Sequence, residues 1–549
     1  MLTYVPETER EQPPLPPGQR PWMLLLLCLV WLLPGLIGHD PWKPAELETA
    51  AVIKHYVEGQ HWALPWWGDN PYLLYGPLYY WSACLFAWPL SHLGMAVHDA
   101  ARLATGAWMA LAMWGLGLAG RELYGRRQGR VAVMALIGSI GLIIWGHHLA
   151  PQVIVLAGFS WQLYALAWAL RQPVQGGLLL GLSWLMLLLG ASWGEFLLSF
   201  VTAVALLGFR PWRRAWYLAT LLTALVTSVP LGLMWVGDLY HTNPEAFRIW
   251  LDYYAFGAFG GLASWQPFHS FGFYFSIVLW FAWPVLPLGV WGIWSNRSQL
   301  AQPKLTLPIV VLVLNSVWLS LAGDLIGESA LLLVLPTLSL LTTSGIDRLQ
   351  RGAAAALNWF GIMTFGVGTF LLWCAWIVLT TGTPATWART LAEASPSWHP
   401  HVVWGGVLFT LAISITWCWV LLRKRPLGRL AITNWACGVT LLWGALMGLW
   451  QPWLDASKSY RTVVESLQVA VNKQPAGCID GSLVSDSMAA SVDYFSHLAL
   501  QRRDVTNCRL QLVAGDPPPG SMVLWDGARP GERHEHFYLL DKTRSVATR

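Results

Sequence analysis

Charge is what this sequence has least of. Only 11% of its 549 residues are Asp, Glu, Lys or Arg, where a soluble globular chain carries about 25%. Such a chain cannot coat an ordinary water-facing surface, which excludes a soluble globular protein. The net charge of +5 is small for the length. The basic residues sit in short loops, so they report orientation in a membrane and not nucleic-acid binding. Cysteine is scarce as well, at seven residues, with no Cys-x-x-Cys and no metal-finger spacing. A Gly-rich phosphate loop, a nucleophile elbow and a His-Glu-x-x-His helix are all missing, which removes the commonest hydrolase and nucleotide-binding readings.

What is present is apolar. Hydrophobic residues make up 55% of the chain, the mean hydropathy is +0.46 and there are 38 Trp. Trp favours the membrane–water interface, where its ring is apolar and its N–H is wet. Apolar runs long enough to cross a bilayer recur along most of the length. Placing Lys/Arg clusters inside predicts crossings over 21–38, 97–120, 131–147, 150–169, 176–191, 196–209, 215–236, 271–294, 305–322, 329–346, 354–379, 401–422 and 430–450. The first of these reads as an uncleaved anchor. The segment 77–93, with Pro77, Pro89 and polar ends, reads as an interfacial or re-entrant helix that does not cross. Residues 1–20 are then cytoplasmic, 21–454 are the membrane domain with a first periplasmic loop at 39–96, and 455–549 are a periplasmic domain in a bacterial inner membrane.

Residues 455–549 contain acids and bases in equal number. RTVVESLQVAVN (461–472) has helical spacing, while LQLVAG and SMVLWDG read as short strands. A small α/β domain is expected. It holds Cys478 and Cys508, and the derived compartment is oxidising, so a disulfide between them is expected. The other five cysteines lie in apolar segments and read as small core residues.

Polar groups concentrate in the first loop: His39, Asp40, Lys43, Glu46, Glu48, Lys54, His55 and Glu58, interleaved with Tyr75, Tyr79, Tyr80 and several Trp. PAELETAAVIKHYVEG (44–59) starts with Pro, carries acids in its first turn and ends in Gly, as a helix does. A wet groove lined by rings and carboxylates suits a sugar. An amphipathic helix that braces the bundle is the alternative.

Beyond the residues themselves, the chain resembles GT-C membrane glycosyltransferases, in the branch of the lipid A aminoarabinose transferase and the protein O-mannosyltransferases. The motifs that carry the likeness are GHDPWKPAE, GDNPYLLYGPLYYW, HDAARLATG and GRELYGRRQGR, and ARPGERHEHFYLL near the end. The likeness is best from the first helix to about residue 210. It implies a GT-C-like, all-α polytopic fold of about thirteen crossings with a small C-terminal domain. It also implies a polyprenyl-phosphate-linked sugar as donor, an envelope acceptor, a carboxylate base for the acceptor hydroxyl and cations for the departing phosphate. Asp40 or Glu46 is then the candidate base, with Glu195 as a weaker acid. Lys43, Lys54, Tyr75, Tyr79, Tyr80, His148, Gln152 and Arg248 are the candidate substrate contacts. No metal ligand set is assigned, and whether a divalent metal takes part is left open. Membrane lipid and an envelope partner enzyme are the other expected partners.

The motifs also depart from the family. Ala45 stands where it places an acid. Leu74 and Tyr75 stand in place of Glu-Lys, Gln152 in place of a second acid, and Trp193-Gly194-Glu195 in place of Lys-Gly-Pro. Ala330 and Leu333 replace an Arg and a Tyr. Alanine cannot accept a proton, and Gln carries no charge. Three readings stay open: a transferase with a shifted constellation, a silent paralogue that binds a lipid-linked glycan or a partner enzyme, and a lipid-sugar transporter.

Overall fold

The computed structural model describes residues 22–43, 46–68, 70–265, 271–323, 326–396, 398–422, 427–475, 477–502, 508–532 and 535–545. Ala45, the position on which the sequence comparison turns, lies outside the described residues, as do Asp69 and Asp324.

Long apolar runs become helices because a bilayer leaves backbone polar groups no partner except their own chain. Among the described residues, eight helices are long and apolar enough to cross: Val97–Tyr124, Pro173–Gly190, Ala215–Thr242, Pro303–Leu321, Gly327–Arg348, Arg351–Thr381, Trp404–Leu421 and Gly428–Val471. Gly272–Phe281 and Val285–Ser295 form a pair bent by 89°, with Pro284 just ahead of the second helix. Shorter apolar helices occupy Trp22–Leu32, Gln128–Ile137, Val153–Trp168 and Trp193–Gly208. Every expected crossing therefore carries a helix, and the protein is a multi-pass membrane protein. Pro173–Gly190 packs on Ala215–Thr242 through small residues. A Cβ at Gly177 would stand 2.7 Å from the Thr220 carbonyl oxygen, and one at Gly181 2.9 Å from that of Ala224. Small residues at this spacing let helix backbones approach closely within a membrane.

The first loop forms two helices, Glu46–Val57 and Leu78–His92. The second has 15 residues with Pro89 inside it. The last membrane helix runs through to Lys458, past the expected boundary at 454, so Asp455 and Lys458 belong to the stem of the bundle.

Beyond it the chain forms the small α/β domain. Its strands are β1 (Ile479–Leu483), β2 (Leu500–Gln501), β3 (Leu510–Ala514), β4 (Ser521–Ala528) and β5 (His536–Ser545), in the order β2-β1-β3-β5-β4. The β1 pairings are parallel and those of β5 antiparallel. Helices Arg461–Val471 and Asp486–Phe495 flank the sheet, and the latter packs on Glu46–Val57. Cys478 and Cys508 are joined, with Cα atoms 5.1 Å apart, linking the entries to β1 and β3. One apolar cluster runs from the bundle through Leu47 and Ile53 to Met488 and Leu539 of the domain.

Candidate functional site

The residues expected to act together separate into two groups. The first is a charged network where the first loop meets the C-terminal domain. Arg102, fully buried on Val97–Tyr124, is its hub. Its Nε donates to Glu46 Oε1 at 2.8 Å and Nη2 to Glu46 Oε2 at 3.3 Å. Nη1 reaches the His39 carbonyl at 2.8 Å and Asp99 Oδ1 at 3.0 Å, and Nη2 also reaches the Asp40 carbonyl at 3.0 Å. Glu46 in turn accepts from the Leu149 and Trp42 N–H groups, each at 2.9 Å. Burial alone would raise the pKa of Glu46. The Arg102 guanidinium outweighs it and holds the carboxyl well below the usual carboxylate range.

Asp40 is committed as well. Its carboxylate accepts from Arg461 Nε at 2.9 Å and Ser459 Oγ at 2.6 Å. These bonds overcome the effect of burial and bring its pKa below the usual value. Lys43 pairs with Glu535. Lys54 donates to the carbonyls of Asp493 (2.7 Å) and Tyr494 (3.2 Å), and His55 lies 2.7 Å from Asp493 Oδ2. Glu48 accepts from Ser487 at 2.9 Å, and its pKa is pushed up by burial. The loop cations expected near a lipid phosphate are thus engaged in docking the domain. The Glu46 carboxylate is taken by buried donors, and that of Asp40 by Ser459 and the exposed Arg461.

The second group surrounds a cavity below the loop. Its lining includes Leu74, Tyr75, Gln152, Glu195, Ala330 and Leu333, the positions where the chain departs from the family pattern. Gly76 follows the lining residue Tyr75. It donates to the Ala191 carbonyl at 3.2 Å, and a Cβ there would stand 2.2 Å from the Leu189 carbonyl oxygen. Only glycine lets the Leu74–Pro77 segment lie this close. The enclosed space is about 20 Å³, about the room one water needs. Tyr75 Oη bonds Gln152 Nε2, while Gln152 Oε1 is buried with no partner. Among the described residues, Glu195 supplies the one carboxylate of the lining, and no Lys or Arg lines it. Ser192 caps Trp193–Ala205, accepting from the Gly194 N–H at 3.0 Å, and its hydroxyl bonds Glu195. Ser-x-x-Glu at a helix start is a capping box, so Glu195 has a structural task as well as a place in the cavity.

The remaining candidates scatter. Tyr79 is fully buried and bonds Thr105 at 2.6 Å. Tyr80 is buried with an unpartnered hydroxyl. Arg248 is exposed on the amphipathic helix Pro244–Tyr253. His148 lies edge-on to Trp42, with ring centroids 6.3 Å apart. Among the described residues, no group of three or more His, Cys, Asp or Glu could hold a metal ion. The sequence reading missed Arg102, Asp455 and Arg461. HDAARLATG offered Arg102 in plain view, but nothing local marks its partner 56 residues away.

No family model matches the sequence, and no curated protein matches it. Solved structures do. The chain is similar to ArnT from Cupriavidus metallidurans bound to undecaprenyl phosphate, with a TM-score of 0.67 and 15% identity over 97% of this chain and 100% of that one. It is similar to the same protein in the apo state, with a TM-score of 0.64 and 14% identity over 95% and 98%. At this identity the likeness is one of fold, and the fold is GT-C-like.

Proposed function

We propose that this GT-C-like chain binds a polyprenyl-phosphate-linked sugar on the side of its C-terminal domain, the periplasmic side of a bacterial inner membrane, without transferring the sugar. The observation that carries this is the orphan carbonyl of Gln152 in a cavity whose other polar groups are hydroxyls and one capping carboxyl. A buried acceptor without a donor costs roughly 1–3 kcal/mol, and a sugar hydroxyl would satisfy it. Transfer asks for more: a base free to take the acceptor proton and fixed positive charge for the phosphate as it leaves. Asp40 and Glu46 are held in ion pairs, and among the described residues the cavity lining has no Lys or Arg. Gly257, with φ +59°, forms part of the wall beside Glu195, and the space of about 20 Å³ must widen for a sugar to enter.

Glu195 supports a second reading. It is the carboxylate of the cavity, and a transferase with a shifted constellation would use it as base.

The test is retention of radiolabelled polyprenyl-phosphate sugar by purified full-length protein. Gln152→Leu should weaken retention about tenfold, the order expected for one lost buried hydrogen bond. Asp40→Asn should leave retention unchanged wherever the protein folds. Equal retention by wild type and Gln152→Leu contradicts the proposal.

A further inference from the structure

A second cleft shares no lining residue with the cavity just described. It is built where two breaks in helices meet. Gln128–Ile137 ends at Gly138, and the chain turns through Gly141 into the short helix Leu142–Trp145. Opposite, Gly272–Phe281 and Val285–Ser295 are bent by 89°. The two breaks are bonded together. The Ile140 N–H donates to the Trp283 carbonyl at 3.1 Å, and the Gly141 N–H to that of Phe281 at 2.8 Å. A Cβ at Gly141 would stand 2.3 Å from the Phe281 ring, so glycine permits the contact. Leu442, Trp443 and Leu446 of the last membrane helix form the third side. The cleft encloses about 250 Å³, below the roughly 300–1,000 Å³ of sites for drug-sized molecules. Ile144 is 47% exposed and Trp280 49%, so the cleft opens sideways, where a bilayer would lie.

One charged residue interrupts the apolar lining. Glu328 lines the cleft, while Ile326, Ser329 and Ala330 beside it line the inner cavity. The turn that starts at Gly327, with φ +55°, is thus a partition between the two spaces, with Glu328 on the cleft side. Glu328 is half-buried and makes no ion pair or hydrogen bond among the described residues. Among those residues no Lys, Arg or His lines the cleft. Glu328 stands in the first turn of the span Gly327–Arg348, at the end of a crossing, where the membrane surface lies. A lone carboxylate against apolar and aromatic walls complements a cation that carries hydrocarbon. Burial of the hydrocarbon favours entry, and an indole ring attracts an ammonium group to its face. An anion is repelled. A zwitterionic lipid would bring its phosphate up against Glu328 along with its ammonium.

We infer that the cleft binds an amphipathic organic cation that carries no phosphate. Its compact hydrocarbon group lies among Ile144, Phe281 and Leu446. Its ammonium group pairs with Glu328, and Trp280 supplies the aromatic wall. The inference does not depend on what the inner cavity binds.

Equilibrium dialysis tests it, with full-length protein in phosphatidylcholine nanodiscs and protein-free discs subtracted. The probes are radiolabelled benzyldimethyloctylammonium and octylbenzenesulfonate, similar in size and opposite in charge. The ammonium should bind and the sulfonate should not. Glu328→Gln should weaken ammonium binding about fivefold, the effect of roughly 1 kcal/mol for a partly exposed ion pair. Trp280→Leu, which keeps an apolar wall and removes the ring, should weaken it about two- to fivefold. Ile144→Trp, on an exposed wall, should narrow the cleft and lower binding as well. Equal binding of the two probes overturns the inference, as does ammonium binding unchanged in both Glu328→Gln and Ile144→Trp. So does its loss in Glu195→Gln, which would place the cation in the inner cavity. Full displacement by equimolar phosphatidylglycerol would assign the cleft to anionic lipid and overturn it too.

Discussion

Two polar regions of the molecule differ in how their groups are used. At the junction of the first loop and the C-terminal domain, Glu46, Asp99 and Asp40 face Arg102 and Arg461, and Lys43 faces Glu535. Charge there is dense and paired. Among the described residues, the inner cavity has one carboxylate, no Lys or Arg in its lining and an unpartnered amide oxygen. The contrast teaches that acids at the mouth of a membrane protein are not thereby reactive. Here they hold a domain in place, and the polar groups left open to a ligand are neutral ones deeper in the fold.

The contrast breaks most visibly at its hub. Arg102→Met should cost about 3–5 kcal/mol, since it strands two buried carboxylates, and should appear as lost folded yield and a lower unfolding temperature. Glu46→Gln comes next, at about 1.5–3 kcal/mol for hydrogen bonds to a charged group. Glu48→Gln, two residues on, should change stability by less than about 1 kcal/mol, because burial already disfavours its charged form. Equal losses in these two variants would erase the distinction between a paired and a merely buried acid.

Acid should loosen the junction and spare the cavity. The folded-state pKa values of Glu46, Asp40 and Glu535 are all depressed. Their contribution is therefore complete above the unfolded values of about 4 and is lost as pH falls through the folded ones. Stability should decline below about 4, as followed by thermal unfolding in detergent. Lys43→Ala should have the smallest effect, at most about 1 kcal/mol, because the Lys43 side chain is 32% exposed and solvent screens the pair.

How much of this was legible depended on distance along the chain. The membrane helices follow from runs of apolar residues, so each expected crossing carries a helix. The helix at 44–59 follows from local start and stop signals, and the structure gives Glu46–Val57. LQLVAG and SMVLWDG became β3 and β4 for the same reason. Pairings across the fold were not legible. Asp40 meets Arg461 from 421 residues away; Asp40 read as a candidate base, and nothing near either residue marks the other. The cavity falls between these cases. Leu74, Gln152, Ala330 and Leu333 stood out only as departures from a resembled pattern, and the fold brings them to one place. The Ser192-Trp-Gly-Glu195 cap was legible as a Ser-x-x-Glu box, a signal that pointed to helix capping as well as to chemistry.

The most direct test of the account is sugar transfer itself. Purified full-length protein in bilayers would be given a radiolabelled polyprenyl-phosphate sugar and envelope lipid acceptors, and label in the acceptor fraction would be counted. The account predicts retained donor and no label transferred above a protein-free control. Transfer that is present in the wild type and abolished by Glu195→Gln would contradict it and would make Glu195 the base of an active enzyme.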